Sequence, residues 1–262
     1  MKYYKMNGLG NNFYIFDLRQ ISNYSIGELF KLTNLKFDQL ILLKKSAKAN
    51  CYMEIYNIDK SKVEACGNAT RCVAKILMAE ENSKQVEIET QNRILIINKI
   101  ADKYQVMMGK PKTYWQDIPL ISALDKAQLT LLDQTKFSSG FCVNIGNPHI
   151  VFFTNNIKQV SLLDEVAWLE KHEFFPQSIN INIAELVNKS TILLKTWERG
   201  AGATKACGTG ACATFYAAFA NYNINKVAEI IMPGGKLEIS INSEQEIFML
   251  GDAILEQSYE LN

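Results

Sequence analysis

Two of the chain's 6 cysteines, Cys66 and Cys207, sit in nearly the same local sequence. Ala65-Cys66-Gly67-Asn68 and Ala206-Cys207-Gly208-Thr209 each lead into an apolar run with helical spacing. A thiol at that point lies where the first free N–H groups of a helix point outward. Those donors and the helix dipole favour an anion, either the thiolate itself or a bound carboxylate. The setting predicts a lowered thiol pKa and a reactive sulfur. Cys72 and Cys212 fall on apolar helix faces and read as core. Cys51 and Cys142 fall in strand patterns with no motif around them.

The likeness extends outward from the cysteines, which are 141 positions apart. Asn57 and Glu198 each lie nine residues before their cysteine, and each follows an aromatic residue, Tyr56 or Trp197. Gly10-Asn11 and Gly146-Asn147, 136 apart, each precede an apolar strand pattern. Residues 94–109 and 236–251 both read as strand, polar turn, strand and then glycine. Four correspondences in one order predict a duplicated half of roughly 130 residues.

Two matched thiols on two matched halves fit a chemical problem with matched faces, and inversion of an α-carbon is one. A thiolate removes the proton from one face and a thiol delivers a proton to the other. Helix starts at the α-carboxylate stabilise the enolate-like charge that develops. Neither pyridoxal nor a metal is signalled. There is no C-x-x-C, and only 2 histidines are present. Gly8-Leu9-Gly10 and Gly200-Ala201-Gly202 give only part of a dinucleotide fingerprint, and no G-K-[ST] follows either. His149, after Gly146-Asn147-Pro148, either tunes a thiol or caps a turn. Glu198-Arg199 is either a surface ion pair of little consequence or, by its repeat relation to Asn57, part of a site. His172 reads as solvated. A different class of function also fits two matched thiols: a dithiol–disulfide switch.

The elements that must position these residues read as an α/β fold of the α+β type. It has two pseudo-symmetric halves, each a mostly antiparallel sheet around one apolar helix, since a helix apolar all round must be enclosed. The division predicted is residues 1–112 with Cys66 and 113–252 with Cys207; the final strand, 253–262, joins either half. The helices run to about residue 81 and over 211–220. Shorter helices are expected from the Ser25 cap to 32, over 125–132 and over 161–171, with a turn over 7–12.

Composition bounds the partners. Apolar residues make up 48% of the chain, which describes a packed protein. A net charge of +1 leaves no footprint for nucleic acid or an anionic membrane. No apolar run reaches the length of a membrane span, and the first residues do not read as a signal peptide. The expected compartment is the cytoplasm, with reduced thiols.

The ordered motifs resemble those of the diaminopimelate epimerase family over essentially the whole chain. They are Lys5-Met6-Asn7-Gly8-Leu9-Gly10-Asn11-Asn12-Phe13, Phe37-Asp38-Gln39-Leu40 with Tyr56-Asn57, and Ala65-Cys66-Gly67-Asn68-Ala69-Thr70-Arg71-Cys72. Gly146-Asn147-Pro148-His149 follows, then Phe175-Pro176 with Asn180, and Trp197-Glu198-Arg199-Gly200 through Ala206-Cys207-Gly208-Thr209-Gly210. The resemblance implies a cofactor-independent epimerase interconverting LL- and meso-diaminopimelate, in lysine and peptidoglycan precursor biosynthesis. It implies that Cys207 accepts and Cys66 donates the proton in the biosynthetic direction, with His149 and Glu198 modulating the thiols. Gly67, Asn68, Gly208 and Thr209 would hold the reacting carboxylate. Asn11, Gln39, Asn57, Asn147, Asn180, Glu198 and Arg199 would read the polar ends of this small-molecule substrate. The implied site lies between the two halves. A racemase of proline or hydroxyproline on the same fold is the near alternative. The chain departs from the family pattern at Asn12, where Asp is common, at Ala69-Thr70, where Gly-Ala is usual, and at Ala203, where Glu is common. The family's homodimer contact uses an aromatic residue of the last strand; here the aligned position is polar, Glu256 or Gln257.

Overall fold

The computed structural model describes residues 1–33, 37–63, 66–122, 128–129, 137 and 139–261. The chain forms two compact units, Met1–Met107 with Leu250–Asn262, and Met108–Met249.

The first unit opens with a hairpin of β1 (Lys2–Gly8) and β2 (Asn11–Asp17). Its turn is tighter than the expected residues 7–12, because pairing continues to Gly8 opposite Asn11. Leu9 and Gly10 alone make the turn, with φ of 56° and 81°, the left-handed pair that suits the twist of flanking strands. The short α1 (Ile26–Lys31) follows, with Ser25 at its N-cap. β3 (Gln39–Lys44) runs parallel to β2, and β4 (Cys51–Asn57) antiparallel to β3. β5 (Lys62–Val63), not anticipated from sequence, pairs with the end of β4. After α2 (Gly67–Glu81) come β6 (Gln85–Glu89), β7 (Ile94–Ile100) and β8 (Lys103–Gly109), an antiparallel meander whose first strand is parallel to β4.

The second unit repeats this wiring. β9 (Gln128–Leu129) pairs with β10 (Gly140–Asn144). The helix expected over 125–132 otherwise lies outside the described residues, and at 128–129 the backbone is strand instead. β11 (Pro148–Phe153) is antiparallel to β10. The single helix expected over 161–171 is two short pieces, α3 (Leu162–Glu165) and a 3-10 turn at Ala167–Lys171. Val166, at φ −133°, breaks it. Burying Val166 and Leu169 in the core takes precedence there over continuing the helix. β12 (Asn180–Asn188) is parallel to β11, β13 (Thr191–Glu198) antiparallel to β12, and β14 (Gly202–Thr204) antiparallel to the end of β13. After α4 (Gly208–Tyr222), β15 (Val227–Met232) lies parallel to β13 and antiparallel to β16 (Gly235–Ile241), before β17 (Ile247–Gly251). The last strand, β18 (Ile254–Glu260), belongs to the first unit, antiparallel to β1.

Both faces of the central strands are covered, so their residues alternate between two cores. In the first unit Tyr14, Phe16, Leu40, Leu42 and Tyr56 share one cluster. Phe13, Ile15, Ile41 and Ile55 are equally buried on the opposite face. In the second unit Ile150, Phe152, Ile181 and Ile183 share a cluster. On the opposite face β12 and β13 carry Asn182 and Thr196, beside α4. Among the described residues no helix is long and apolar enough to cross a membrane.

Candidate active site

The two long helices are built alike. Each has fifteen residues, a cysteine at the N-cap in extended conformation, and an asparagine at the C-cap with φ of 50°. Asn82 and Asn223 each close their helix in the left-handed conformation that asparagine tolerates. The thiols are therefore fixed relative to the first turn of a packed helix, which is where a preorganised site needs them.

At Cys207 the backbone N–H of Gly210 donates to Sγ at 3.4 Å, and Thr209 Oγ1 lies 3.5 Å from the sulfur. The sequence predicts a lowered pKa here. The structure gives the reverse: burial pushes the Cys207 thiol well above its ordinary value, and the Glu198 carboxylate adds to the rise. The two helix-start donors oppose this without overcoming it. Glu198 is itself held above the usual carboxylate range by burial, opposed by hydrogen bonds from Thr204 and Cys207. At Cys66, which is half-buried, the carbonyl accepts from both the N–H and the hydroxyl of Thr70, at 3.0 and 2.9 Å. Residues 64–65 of its motif lie outside the described set. Cys51 and Cys72, each driven up to about 12 by burial, and Cys142, driven up likewise, are core thiols.

Strand register places the other predicted residues on equivalent positions. Phe13 pairs with Gln39, which pairs with Asn57. In the second unit His149 pairs with Asn180, and the next step of the β12–β13 register brings Asn180 level with Glu198. Asn11 and Asn147 each stand two residues before the first of these. Each unit thus brings together one cysteine helix start, one strand-start asparagine and two polar strand-end residues.

Their hydrogen bonds differ. Gln39 Nε2 donates to Asn57 Oδ1 at 3.3 Å, and Asn57 in turn donates to Ser61 Oγ at 3.1 Å. The buried Oε1 of Gln39 has no partner among the described residues, leaving one acceptor for a donor from outside the protein. Asn180 uses both ends of its amide on backbone: Nδ2 donates to Pro148 O at 2.7 Å, and Oδ1 accepts from Arg199 N at 3.0 Å. Arg199 Nη1 donates to Gln177 O at 2.9 Å. His149 is fully buried; burial first, and then the Arg199 charge, lower its pKa to about 3, so the ring is neutral. Its nitrogens are both engaged, Nε2 with Asn147 Oδ1 at 2.9 Å and Nδ1 with Asn182 Nδ2 at 3.1 Å. It therefore makes no hydrogen bond to a thiol.

Three residues around the site escaped the sequence reading. Arg71 is fully buried in α2, where it donates to Asn68 Oδ1 at 2.9 Å, Gly67 O at 3.3 Å and Asp252 O at 3.1 Å. Asn182 and Thr196 are buried beneath the start of α4 and joined by a 3.1 Å hydrogen bond. The available signal was their polarity inside otherwise apolar patterns, but helical periodicity for Arg71 and strand alternation for Asn182 and Thr196 assign such positions to a solvated face. Two glycines let each helix start pack closely on strands of its own unit. A β-carbon on Gly8 would stand 2.9 Å from Asn68 O, and one on Gly210 2.6 Å from Asn182 Oδ1. Among the described residues no group of three or more His, Cys, Asp or Glu could hold a metal.

This duplicated fold is shared by solved structures of low sequence identity. A putative phenazine biosynthesis PhzC/PhzF protein from Clostridium difficile aligns with a TM-score of 0.71 at 13% identity, over 100% of this chain and 99% of its own. A hydroxyproline epimerase from Agrobacterium vitis aligns at 0.68 and 12%, over 99% and 91%. These likenesses establish the fold. Sequence goes further. The family model described as diaminopimelate epimerase matches residues 3–114 and 141–256. The diaminopimelate epimerase of Pelagibacter ubique is 39% identical over 260 residues, covering 96% of this chain and 95% of that protein. That of the Wolbachia of Brugia malayi is 40% identical over 251 residues, covering 95% and 96%. The chain belongs to the diaminopimelate epimerase family.

Proposed function

We propose that the chain interconverts LL- and meso-2,6-diaminopimelate by proton transfer between the substrate α-carbon and two thiols, Cys66 and Cys207. The observation that carries this reading is the matched placement of both cysteines at the N-caps of the two long helices. One sulfur, as thiolate, takes the α-proton. The C–H electron pair moves toward the carboxylate, giving an enolate-like anion. The other sulfur, as thiol, gives its proton to the opposite face of the carbon. The sulfurs exchange protonation states, so the reverse reaction starts from the swapped pair. In the LL-to-meso direction Cys207 is the acceptor and Cys66 the donor, as the family resemblance implies.

The helix-start N–H groups at Gly67-Asn68 and Gly208-Thr209 receive the reacting carboxylate and stabilise the negative charge as it grows. A donor placed on such charge is worth about 3 kcal/mol, roughly two orders of magnitude in rate. Gln39 Oε1 and the Glu198 carboxylate are acceptors suited to an ammonium. Asn11, Asn57 and Asn147 supply amide donors. Asn180 acts by holding Arg199, the cation for the distal carboxylate. Glu198, bonded to the Cys207 thiol, favours the protonated form of that sulfur, the form that donates when meso is converted to LL. The small-molecule substrate leaves a homodimer and a cytoplasmic location as further expectations of this reading.

The test is α-proton exchange in deuterated water with purified, reduced protein and no added pyridoxal. Deuterium at one α-carbon of LL-diaminopimelate, with the meso isomer forming, is the expected result, and Cys66→Ser and Cys207→Ser should each abolish it. Exchange with L-proline alone would keep the two-thiol chemistry and discard the substrate. No exchange with either, together with thiol–disulfide cycling, would put the redox switch in its place.

A further inference from the structure

The equivalent asparagines Asn11 and Asn147 are both gripped from inside, by different means. In the first unit Arg71 Nη2 donates to Asn68 Oδ1 at 2.9 Å, and Asn68 Nδ2 donates to Asn11 Oδ1 at 2.7 Å. A guanidinium has donors only. Asn68 must therefore turn its oxygen toward Arg71 and its nitrogen toward Asn11, and Asn11 must turn its oxygen inward.

In the second unit position 71 is matched by Cys212, and the grip comes from the sheet instead. Asn182 Nδ2 donates to Ile150 O at 3.2 Å. A backbone carbonyl only accepts, so this bond fixes the Asn182 amide with its oxygen toward the Thr196 hydroxyl, at 3.1 Å. His149 Nδ1, facing the same Nδ2 at 3.1 Å, must then be the unprotonated nitrogen. The proton sits on Nε2, which donates to Asn147 Oδ1 at 2.9 Å. The corresponding positions in the first unit are Ile55, Ile41 and Phe13, so this polar ladder is an addition to the second unit, not part of the shared plan. Asn68, Arg71, His149, Asn182 and Thr196 are all buried. A buried network is retained at a cost unless every member is satisfied, and here each carries its neighbour's orientation outward.

We propose that Arg71 and Asn182 are positioning residues: through these two buried chains they fix Asn11 and Asn147 with their carbonyl oxygens inward and their NH2 groups presented to the ligand. Among the described residues neither Nδ2 has a protein partner. Both asparagines then recognise an acceptor, a carboxylate oxygen, and discriminate against an ammonium at the same place. The assignment of a ligand to these amides rests on the function proposed above; the orientation of the chains does not.

The experiment begins with the wild-type protein. With only His149 and His172 present, a long-range 15N–1H spectrum of the imidazole rings, assigned with a His172→Gln variant, reads the His149 tautomer directly. The expected result is a single neutral Nε2–H tautomer, constant from about pH 6 to 8. A proton on Nδ1, or titration in that range, overturns the second chain. Asn182→Leu should then release the tautomer and raise KM for LL-diaminopimelate at least tenfold, with a smaller change in kcat. Arg71→Met should raise KM similarly, and Arg71→Lys should restore part of the loss. An Arg71→Met/Asn68→Ala double variant should lose no more than either single one. Folded variants with wild-type KM, or fully additive losses, would refute positioning. The ring spectrum is independent of turnover: the predicted tautomer in a protein inactive on diaminopimelate sinks the functional reading and leaves the chain standing, and the wrong tautomer in an active enzyme does the reverse.

Discussion

Gly210 packs directly on Asn182: a β-carbon at position 210 would stand 2.6 Å from the amide oxygen and 3.1 Å from Thr196 Oγ1. The neighbours that would have to move are short side chains held by their own hydrogen bonds, not the free ends of flexible ones. The same residue's N–H points at the Cys207 sulfur. Gly210→Ala should therefore cost about 1–3 kcal/mol of stability, the usual range for overpacking. It should also slow epimerisation, because relief requires the helix start to lift. Urea denaturation and steady-state rates on the same sample check both; unchanged stability would show that the contact relaxes freely.

β18 is held to the first unit by its ladder with β1 and by the stack of Tyr259 on Tyr3, with ring centroids 4.5 Å apart and planes within 7°. Tyr3 continues the stack onto Phe16 at 5.0 Å. Tyr259→Ala removes a partly exposed aromatic from this column and should cost about 1–2 kcal/mol, less than a fully buried ring would. Hydrogen exchange should quicken first in the amides of β1 and β18; quickening confined to the second unit would contradict this placement.

The duplicated plan was legible because the chemistry repeats with it. Cysteine, glycine and a polar residue recur at each helix start, and a polar residue follows an aromatic one nine positions earlier. The parallel pairs β2–β3, β4–β6, β11–β12 and β13–β15 were not legible, because alternation gives a strand's faces but not its partner. The helix over 161–171 failed for a related reason: its period was correct locally, while the burial of Val166 and Leu169 set the backbone. The pKa of Cys207 was read from the helix start alone. Depth of burial, which decides the direction, is a property of packing that no local motif carries. Asn182 was invisible because a strand covered on both faces has no solvated side, so its polarity reported a buried hydrogen-bond chain instead.

His149 makes stability depend on pH in a defined window. Its folded pKa, about 3, lies below its ordinary value near 6.5. Between these values the unfolded chain binds a proton that the folded chain refuses, so stability is full above pH 6.5 and is lost as pH falls toward 3. One such proton contributes a slope of about 1.4 kcal/mol per pH unit. His149→Gln should be less stable at neutral pH and should flatten the slope between pH 6 and 4 by about that amount. An unchanged slope would mean that the ring takes up a proton in the folded state.

Glu198 and Cys207 are coupled in a way that a single substitution can expose. After burial, the Glu198 carboxylate is the main influence pushing the Cys207 thiol up. Glu198→Gln keeps the shape and removes the charge. The pH midpoint for alkylation of Cys207, followed by mass mapping with a small reagent, should therefore move down, toward easier thiolate formation. Epimerisation should nevertheless fall at least tenfold, because the same charge is the acceptor proposed above for the substrate's ammonium. An upward shift of the midpoint would remove Glu198 from the role of setting the Cys207 proton.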